Sequence, residues 1–274
     1  MSDGAIGSMT AIDVCICTFK RASLSTTLAS IARQQGHFGK VRVILADNDD
    51  TPSALPIVNE ARGNGQVITY VHAPARNISI ARNACLDAAS APLIAWIDDD
   101  EIADPDWLSQ LVEALGNHDA AFGRVIADYP SQAPDWIIAA DLHSTLPVQT
   151  TDGVVTGYTS NAIVRLAAVG EERFAEELGR SGGEDTDFFA RLYRNGSRYA
   201  AAPLAVVREP TADSRLSLRW LSQRSFRSGQ THARAYLANG QRVRGVIEAG
   251  LKAAFCMAIS FVSVADGVKS RRYW

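Results

Sequence analysis

An open α/β fold, with a mainly parallel central sheet and helices on both faces, is the architecture this sequence predicts. Three observations carry it. Short apolar runs alternate with helical stretches through residues 12–115. Carboxylates stand at the ends of two of those runs, where open α/β sheets bind their ligands. A chain of 274 residues, 47% apolar and 21% charged, has the size and composition of a soluble domain with a sizeable core.

The elements follow in order. Ile12 to Thr18 reads as a strand and Leu24 to Gln35 as a helix. Val41 to Ala46 is a second strand, followed by a helix from Pro52 to Ala61. Val67 to His72 is a third strand, Ile78 to Ala89 a helix, and Leu93 to Ile97 a fourth strand rich in β-branched and aromatic residues. Asp104 before Pro105 marks the next helix start, since aspartate caps and proline suits the first turn. This βαβαβαβ order implies parallel pairing. Beyond residue 120 the alternation is irregular, with strand-like pieces at Ala120–Ala127 and Gly157–Arg165. A long or broken helix is expected at Ser214–Leu237.

The ends differ from the middle. Residues 1–11 read as a flexible leader with no signal-peptide pattern, and Met9 offers an alternative start. Residues 12–240 read as one domain and 241–274 as an amphipathic, apolar helical tail. Within that tail Ala253–Ala265 lacks charge but is shorter than the roughly 20 residues that span a bilayer. A basic end with Tyr273 and Trp274 follows it. Such a tail suits a membrane surface or a partner chain, including a second copy of this one. Cys15, Cys17, Cys85 and Cys256 show neither zinc spacing nor a disulfide framework, so packing in a reducing, cytoplasmic location is expected. A net charge of −3 gives no general case for nucleic-acid binding.

Four acids in a row, Asp98, Asp99, Asp100 and Glu101, follow the fourth strand directly. Like charges about 4 Å apart repel by up to ~4 kcal/mol at an effective dielectric near 20. A divalent cation or hydrogen-bond donors relieve that repulsion, and carboxylate oxygens suit Mg²⁺ or Mn²⁺. Strand alternation turns Asp98 and Asp100 to one side and Asp99 to the other. A solvated acidic turn would carry the same residues. Asp47 ends the second strand, where it can serve a base or ribose, or simply a turn. Arg76 and Arg82 follow the third strand and can reach a diphosphate. Glycines 182 and 183 precede Glu184, Asp185 and Asp187 in the first turn of a helix ending near Asn195. The helix dipole favours acids there, and the same placement can aim one carboxylate into a cleft as a base. Arg219, Trp220, Arg224, Phe226 and Arg227 form a basic, aromatic stripe suited to a diphosphate, a sugar face or a lipid headgroup.

Together these residues resemble the family 2 inverting glycosyltransferases of GT-A fold, the nucleotide-diphospho-sugar transferase fold. Within them the chain is most similar to the succinoglycan-type glucosyltransferases of exopolysaccharide assembly. The resemblance runs from Ile12 to His232. It rests on Val14–Arg21, Ala46–Asp49, Asn77–Asn83, Asp98–Glu101, His143–Val148, Thr156–Ala162, Gly182–Phe188 and Phe226–His232, in that order and spacing.

The resemblance implies roles. Thr18, Arg21, Asp47, Arg82, Asp98 and Asp99 would hold a UDP-sugar, with Thr18 and Asp47 at the base. Asp100, with Asp98, would bind Mg²⁺ or Mn²⁺. Asp185 would be the base that deprotonates the acceptor, with Glu184 as alternative or orienting partner. Arg224 and Arg227 would steady the leaving diphosphate, and His143, Thr145 and Asn161 would border the acceptor. Glucose from UDP-glucose is the expected donor. The expected acceptor is a lipid-linked oligosaccharide at the cytoplasmic membrane face. One position departs from the pattern: Arg208 stands where related enzymes often carry a metal-binding histidine. Arginine stays protonated and cannot ligate, so it would offer positive charge toward the diphosphate instead. Two other classes fit the paired acids: a nucleotidyltransferase, and a non-catalytic sugar-nucleotide binding protein.

Overall fold

The computed structural model describes residues 10–150 and 153–238, with Ile247 alone beyond them. The leader through residue 9, most of the tail from 241 and Cys256 lie outside the described residues. Strands β1 (Ile12–Thr18), β2 (Val41–Asp47), β3 (Ile68–His72) and β4 (Leu93–Ile97) alternate with helices α1 (Leu24–Ala32), α2 (Leu55–Gly63) and α3 (Ile78–Ala88). The short β5 (Ile102–Ala103) and helix α4 (Trp107–Leu115) follow, then β6 (Ala120–Asp128) and α5 (Asp135–Ala140). Next come β7 (Val148–Thr150), β8 (Gly153–Thr156), β9 (Asn161–Arg165), α6 (Leu166–Val169), α7 (Glu184–Arg194), β10 (Tyr199–Pro210) and α8 (Leu218–Ala238).

Ten strands make one sheet in the order β3-β2-β1-β4-β9-β6-β10-β8-β7, with β5 paired to β10. β3, β2, β1 and β4 are parallel, as the sequence predicts. The sheet then turns mixed, because β9 runs antiparallel to both β4 and β6. Strand alternation sends Ile12, Val14 and Ile16 into a core shared with Leu24, Leu28 and Val58 of α1 and α2. Cys15 faces a second core with Cys85, Leu86, Phe188 and Phe189 of α3 and α7. Helices therefore cover both faces. Cys15, Cys17 and Cys85 are free thiols, and burial pushes the pKa of all three up.

Two sequence expectations are corrected. The helix expected to start at Asp104–Pro105 begins at Trp107, and Asp106 at its cap position makes no side-chain capping bond. Asp104 instead accepts from Arg208 Nε at 3.0 Å. Only Asn161–Arg165 of the expected Gly157–Arg165 strand is paired as β9.

Contacts group the chain into two units, Met1–Asp128 with Ser144–Pro210, and Tyr129–His143 with Thr211–Trp274. No helix among the described residues is long and apolar enough to cross a membrane.

Candidate active site

Parallel pairing brings the carboxyl ends of β1, β2 and β4 to one edge of the first unit. Thr18 is in register with Asp47 across β1 and β2, and Phe19 N donates to Asp99 Oδ2 at 3.4 Å. The acid run therefore meets the loop after β1. Arg21 bridges it, with Nη2 3.3 Å from Asp100 and Nε 3.7 Å from Asp99. The Thr18 hydroxyl is buried beside Asp99 and helps hold that carboxyl down, though it closes no well-formed hydrogen bond.

Crowding and burial set the charge of this edge. Burial pushes Asp98 up to about 7, with Asp100, Asp99 and Glu209 adding to the rise and Arg82 opposing it. Burial likewise lifts Asp99 to about 6, against Thr18 and Arg21. Glu101 is 1% exposed, turns back to accept from Asp98 N at 2.8 Å, and is pushed up by burial and by Asp98. Buried acids held up in this way favour a cation.

Arg82 connects this edge to α7. Its guanidinium is buried, lies 5.5 Å from the centre of the Phe174 ring, and forms an ion pair with Glu184. Burial works against its charge, yet Glu184, Asp185 and Asp98 outweigh that effect. Asn77 positions α3 by accepting from Ser79 N at 3.0 Å while its amide donates to Glu176 O at 2.8 Å. At α7 the chain needs two successive left-handed residues, Gly182 at φ +86° and Gly183 at φ +92°, to deliver Glu184 and Asp185 into the first helical turn. Burial raises the Asp185 carboxyl, Arg82 opposes that rise, and Glu184 adds to it. Asp185 Oδ1 accepts from Thr186 N at 2.7 Å. A partly exposed carboxylate of raised pKa has the chemistry of a general base.

The rim carries backbone strain. Lys20 (φ +55°) and Arg76 (φ +48°) are both left-handed without being glycine, and both cations lie near the Phe19 ring, at 5.6 and 6.0 Å. Beside them a cavity of ≈180 Å³ is lined by Lys20, Arg21, Ala22, Ser53, Ala54 and Ile57.

Several expected site residues have other duties. Asp47 is fully buried: it accepts from Asp49 N (3.1 Å), Ala54 N (2.8 Å) and Tyr70 OH (2.9 Å), so its carboxylate builds the β2–α2 turn. These bonds fix the carboxylate beside Thr18 at the end of β2, where the sequence expects a nucleotide base. Asn161 is 2% exposed, accepts from Trp107 Nε1 (2.8 Å) and donates to Arg124 O (2.8 Å) and Ala205 O (2.9 Å). It ties β9 to β6, β10 and α4, with both amide hydrogens engaged. Thr145 pairs with Val125 through backbone bonds of 2.8 and 2.9 Å. Arg208 is held by Asp104 and, at 3.8 Å, by Asp128, so its expected charge toward a diphosphate is engaged elsewhere. Glu209, which the sequence reading gave no role, adds charge to Asp98 and Glu101.

His143, Arg224 and Arg227 belong to the second unit. His143 is 3% exposed, stacks on Trp220 at 5.2 Å, and meets Tyr129 OH (Nδ1, 3.2 Å) and Arg215 O (Nε2, 3.2 Å). Arg224 lies 5.4 Å from the centre of the Trp220 ring, and Arg227 is exposed.

Among the described residues no three His, Cys, Asp or Glu side chains gather as a protein cage. Mg²⁺ sites commonly use one or two carboxylates and complete the shell with phosphate oxygens and water. Asp98 and Asp100, near enough that Asp100 raises the Asp98 carboxyl, offer two carboxylates of that kind.

The family model described as Glycosyl transferase family 2 matches residues 13–171. "Succinoglycan biosynthesis protein ExoM" of Rhizobium meliloti (strain 1021) is 42% identical over 271 residues, spanning 96% of this chain and 88% of that protein. "Glucosyl-dolichyl phosphate glucuronosyltransferase" of Haloferax volcanii is 22% identical over 242 residues, spanning 80% of this chain and 75% of that protein. The crystal structure of S. aureus TarS superposes with a TM-score of 0.58 at 18% identity, over 73% of this chain and 37% of TarS. TarS 1–349 in complex with UDP gives 0.55 at 19% identity, over 74% of this chain and 61% of that one. This chain thus spans less than two thirds of either TarS chain, and at that identity the likeness is one of fold.

Proposed function

The chain belongs to glycosyl transferase family 2, and on that premise we propose that it is an inverting hexosyltransferase of exopolysaccharide assembly. The donor is a UDP-sugar, UDP-glucose first among the candidates. The acceptor is a lipid-linked oligosaccharide, met by a peripheral enzyme at the cytoplasmic membrane face. The observation that carries the reading is Arg82, whose buried cation is shared by Asp98 at the end of β4 and by Glu184 and Asp185 at the start of α7. Donor-side acids and the candidate base thereby converge on one charge.

The chemistry follows from that convergence. Asp185 accepts the acceptor hydroxyl proton as the oxygen attacks the anomeric carbon from the side opposite the diphosphate. The bond between that carbon and the diphosphate oxygen breaks, and UDP leaves with the electron pair. Arg21, half exposed on Asp99 and Asp100, lies where its guanidinium can serve the diphosphate. In this reading Thr18 and the cavity lined by Lys20 to Ile57 would take the nucleotide. Asp98 and Asp100 would hold Mg²⁺ or Mn²⁺, which when bound offsets charge on the departing diphosphate. Glu184 keeps Arg82 in place and thereby orients Asp185.

The test is nucleotide release from a panel of UDP- and GDP-sugars, with membrane lipid extract as acceptor. Sugar on lipid with inverted anomeric configuration is expected. Retained configuration, or nucleotide in the product, would reject the reading. The TarS complex with UDP supports the choice of nucleotide, and ExoM supports the exopolysaccharide setting.

A further inference from the structure

Charge is segregated along this chain. Residues 211–274 hold eleven Lys and Arg against three Asp and Glu, a formal +8; the chain as a whole is −3, so residues 1–210 carry −11. Helix α8 stands near the start of the basic stretch and has no acid in its 21 residues.

The helix has two distinct faces. At 100° per residue, Trp220, Leu221 and Arg224 fall within one arc. They are also the half-buried residues of Leu218–Arg227, with Trp220 stacked on His143 and Arg224 packed over Trp220. The opposite arc presents Leu218 (68% exposed) and Phe226 (67% exposed), with Arg219 on the same side as Phe226, while the exposed Arg227 falls near Trp220 on the first arc. Large apolar side chains set among arginines, with no acid, complement an anionic lipid surface. Nucleic acid would engage the arginines but gives Leu218 and Phe226 nothing to enter, so lipid is the better match.

We propose that the outer face of α8 docks on anionic lipid headgroups, with Leu218 and Phe226 entering the headgroup boundary and Arg219 on lipid phosphates. This names the contact behind the membrane-face placement proposed above. Its test reads attachment without sugar transfer, so its failure leaves the transfer chemistry untouched.

The experiment is co-sedimentation of the full chain with phosphatidylcholine vesicles, with and without phosphatidylglycerol, over a salt series. Binding is expected with phosphatidylglycerol only, and it should weaken as salt rises. One arginine at an anionic surface contributes about fivefold in partition. Arg219→Gln with Phe226→Ser should therefore lower binding about tenfold or more. Arg33→Gln, which removes an exposed cation in the first unit, should leave binding unchanged. Both substituted faces are exposed, and an unchanged Tm confirms that each variant is folded. Equal binding to neutral vesicles, no binding at all, or undiminished binding by the double variant would overturn the proposal. Tighter binding to duplex RNA or DNA than to vesicles, lost in the same variant, would give the face to nucleic acid and overturn it equally.

Discussion

Replacing Arg82 by Met tests the arrangement at its centre. Arg82 is 7% exposed and is the cation common to Glu184, Asp185 and Asp98. Its loss leaves three carboxylates of one neighbourhood without that counter-charge. Breaking a buried ion pair from one side costs about 3–5 kcal/mol. Glu184→Gln should cost less, about 1–3 kcal/mol, because Arg82 keeps Asp98 and Asp185 as partners. The double variant should then be more stable than the two single losses summed, by about 1–2 kcal/mol of coupling. Urea unfolding of the full chain at pH 8, read by fluorescence, measures all three. Lowering the pH should shrink the Arg82→Met penalty, since carboxyls deprived of their cation take up protons more readily. A Glu184→Gln loss as large as that of Arg82→Met would refute the reasoning. So would an Arg82→Met loss under about 1 kcal/mol.

Four further outcomes are expected. Asp185→Asn should abolish sugar transfer while UDP binding, measured by calorimetry, stays within about threefold; equal transfer by the variant would remove Asp185 as the base. In metal-free protein, Asp98 at about 7 and Asp99 at about 6 hold protons that the unfolded chain has already released. Stability should therefore fall as pH rises from about 4 to 7, and Asp98→Asn should flatten that slope in a Tm–pH series. Asn161→Leu leaves Trp107 Nε1, Arg124 O and Ala205 O without their partner, so a loss of about 3 kcal/mol or more in urea unfolding is expected, with little change in KM for any surviving activity. EDTA should stop transfer if Asp100 serves a metal, and Mg²⁺ or Mn²⁺ should restore it; unchanged turnover in EDTA would reject that role.

Local pattern was enough for the frame. Ile12–Thr18 and Leu93–Ile97 form the strands expected of them, because a buried parallel strand needs an unbroken apolar run and few other elements tolerate one. The acids at the end of β4 were legible for the same reason: the strand fixes where they emerge. Glycines 182 and 183 announced a tight turn before Glu184, and their left-handed backbone is that turn. Pattern failed where a side chain had to choose a partner. Asp104 reads as a helix cap but goes to Arg208, 104 positions later along the chain.

Sequence alone thus determined the sheet's parallel half, its strand-end acids and the helix that carries Asp185. Tertiary structure decided which groups meet. Asp47 turned inward to Tyr70 and the α2 start, Asn161 became a clip between strands, and Arg82 found Glu184 across 102 residues. The physical reason is that backbone periodicity assigns a residue to a face, whereas the partner of a buried polar group depends on which segments the fold stacks beside it.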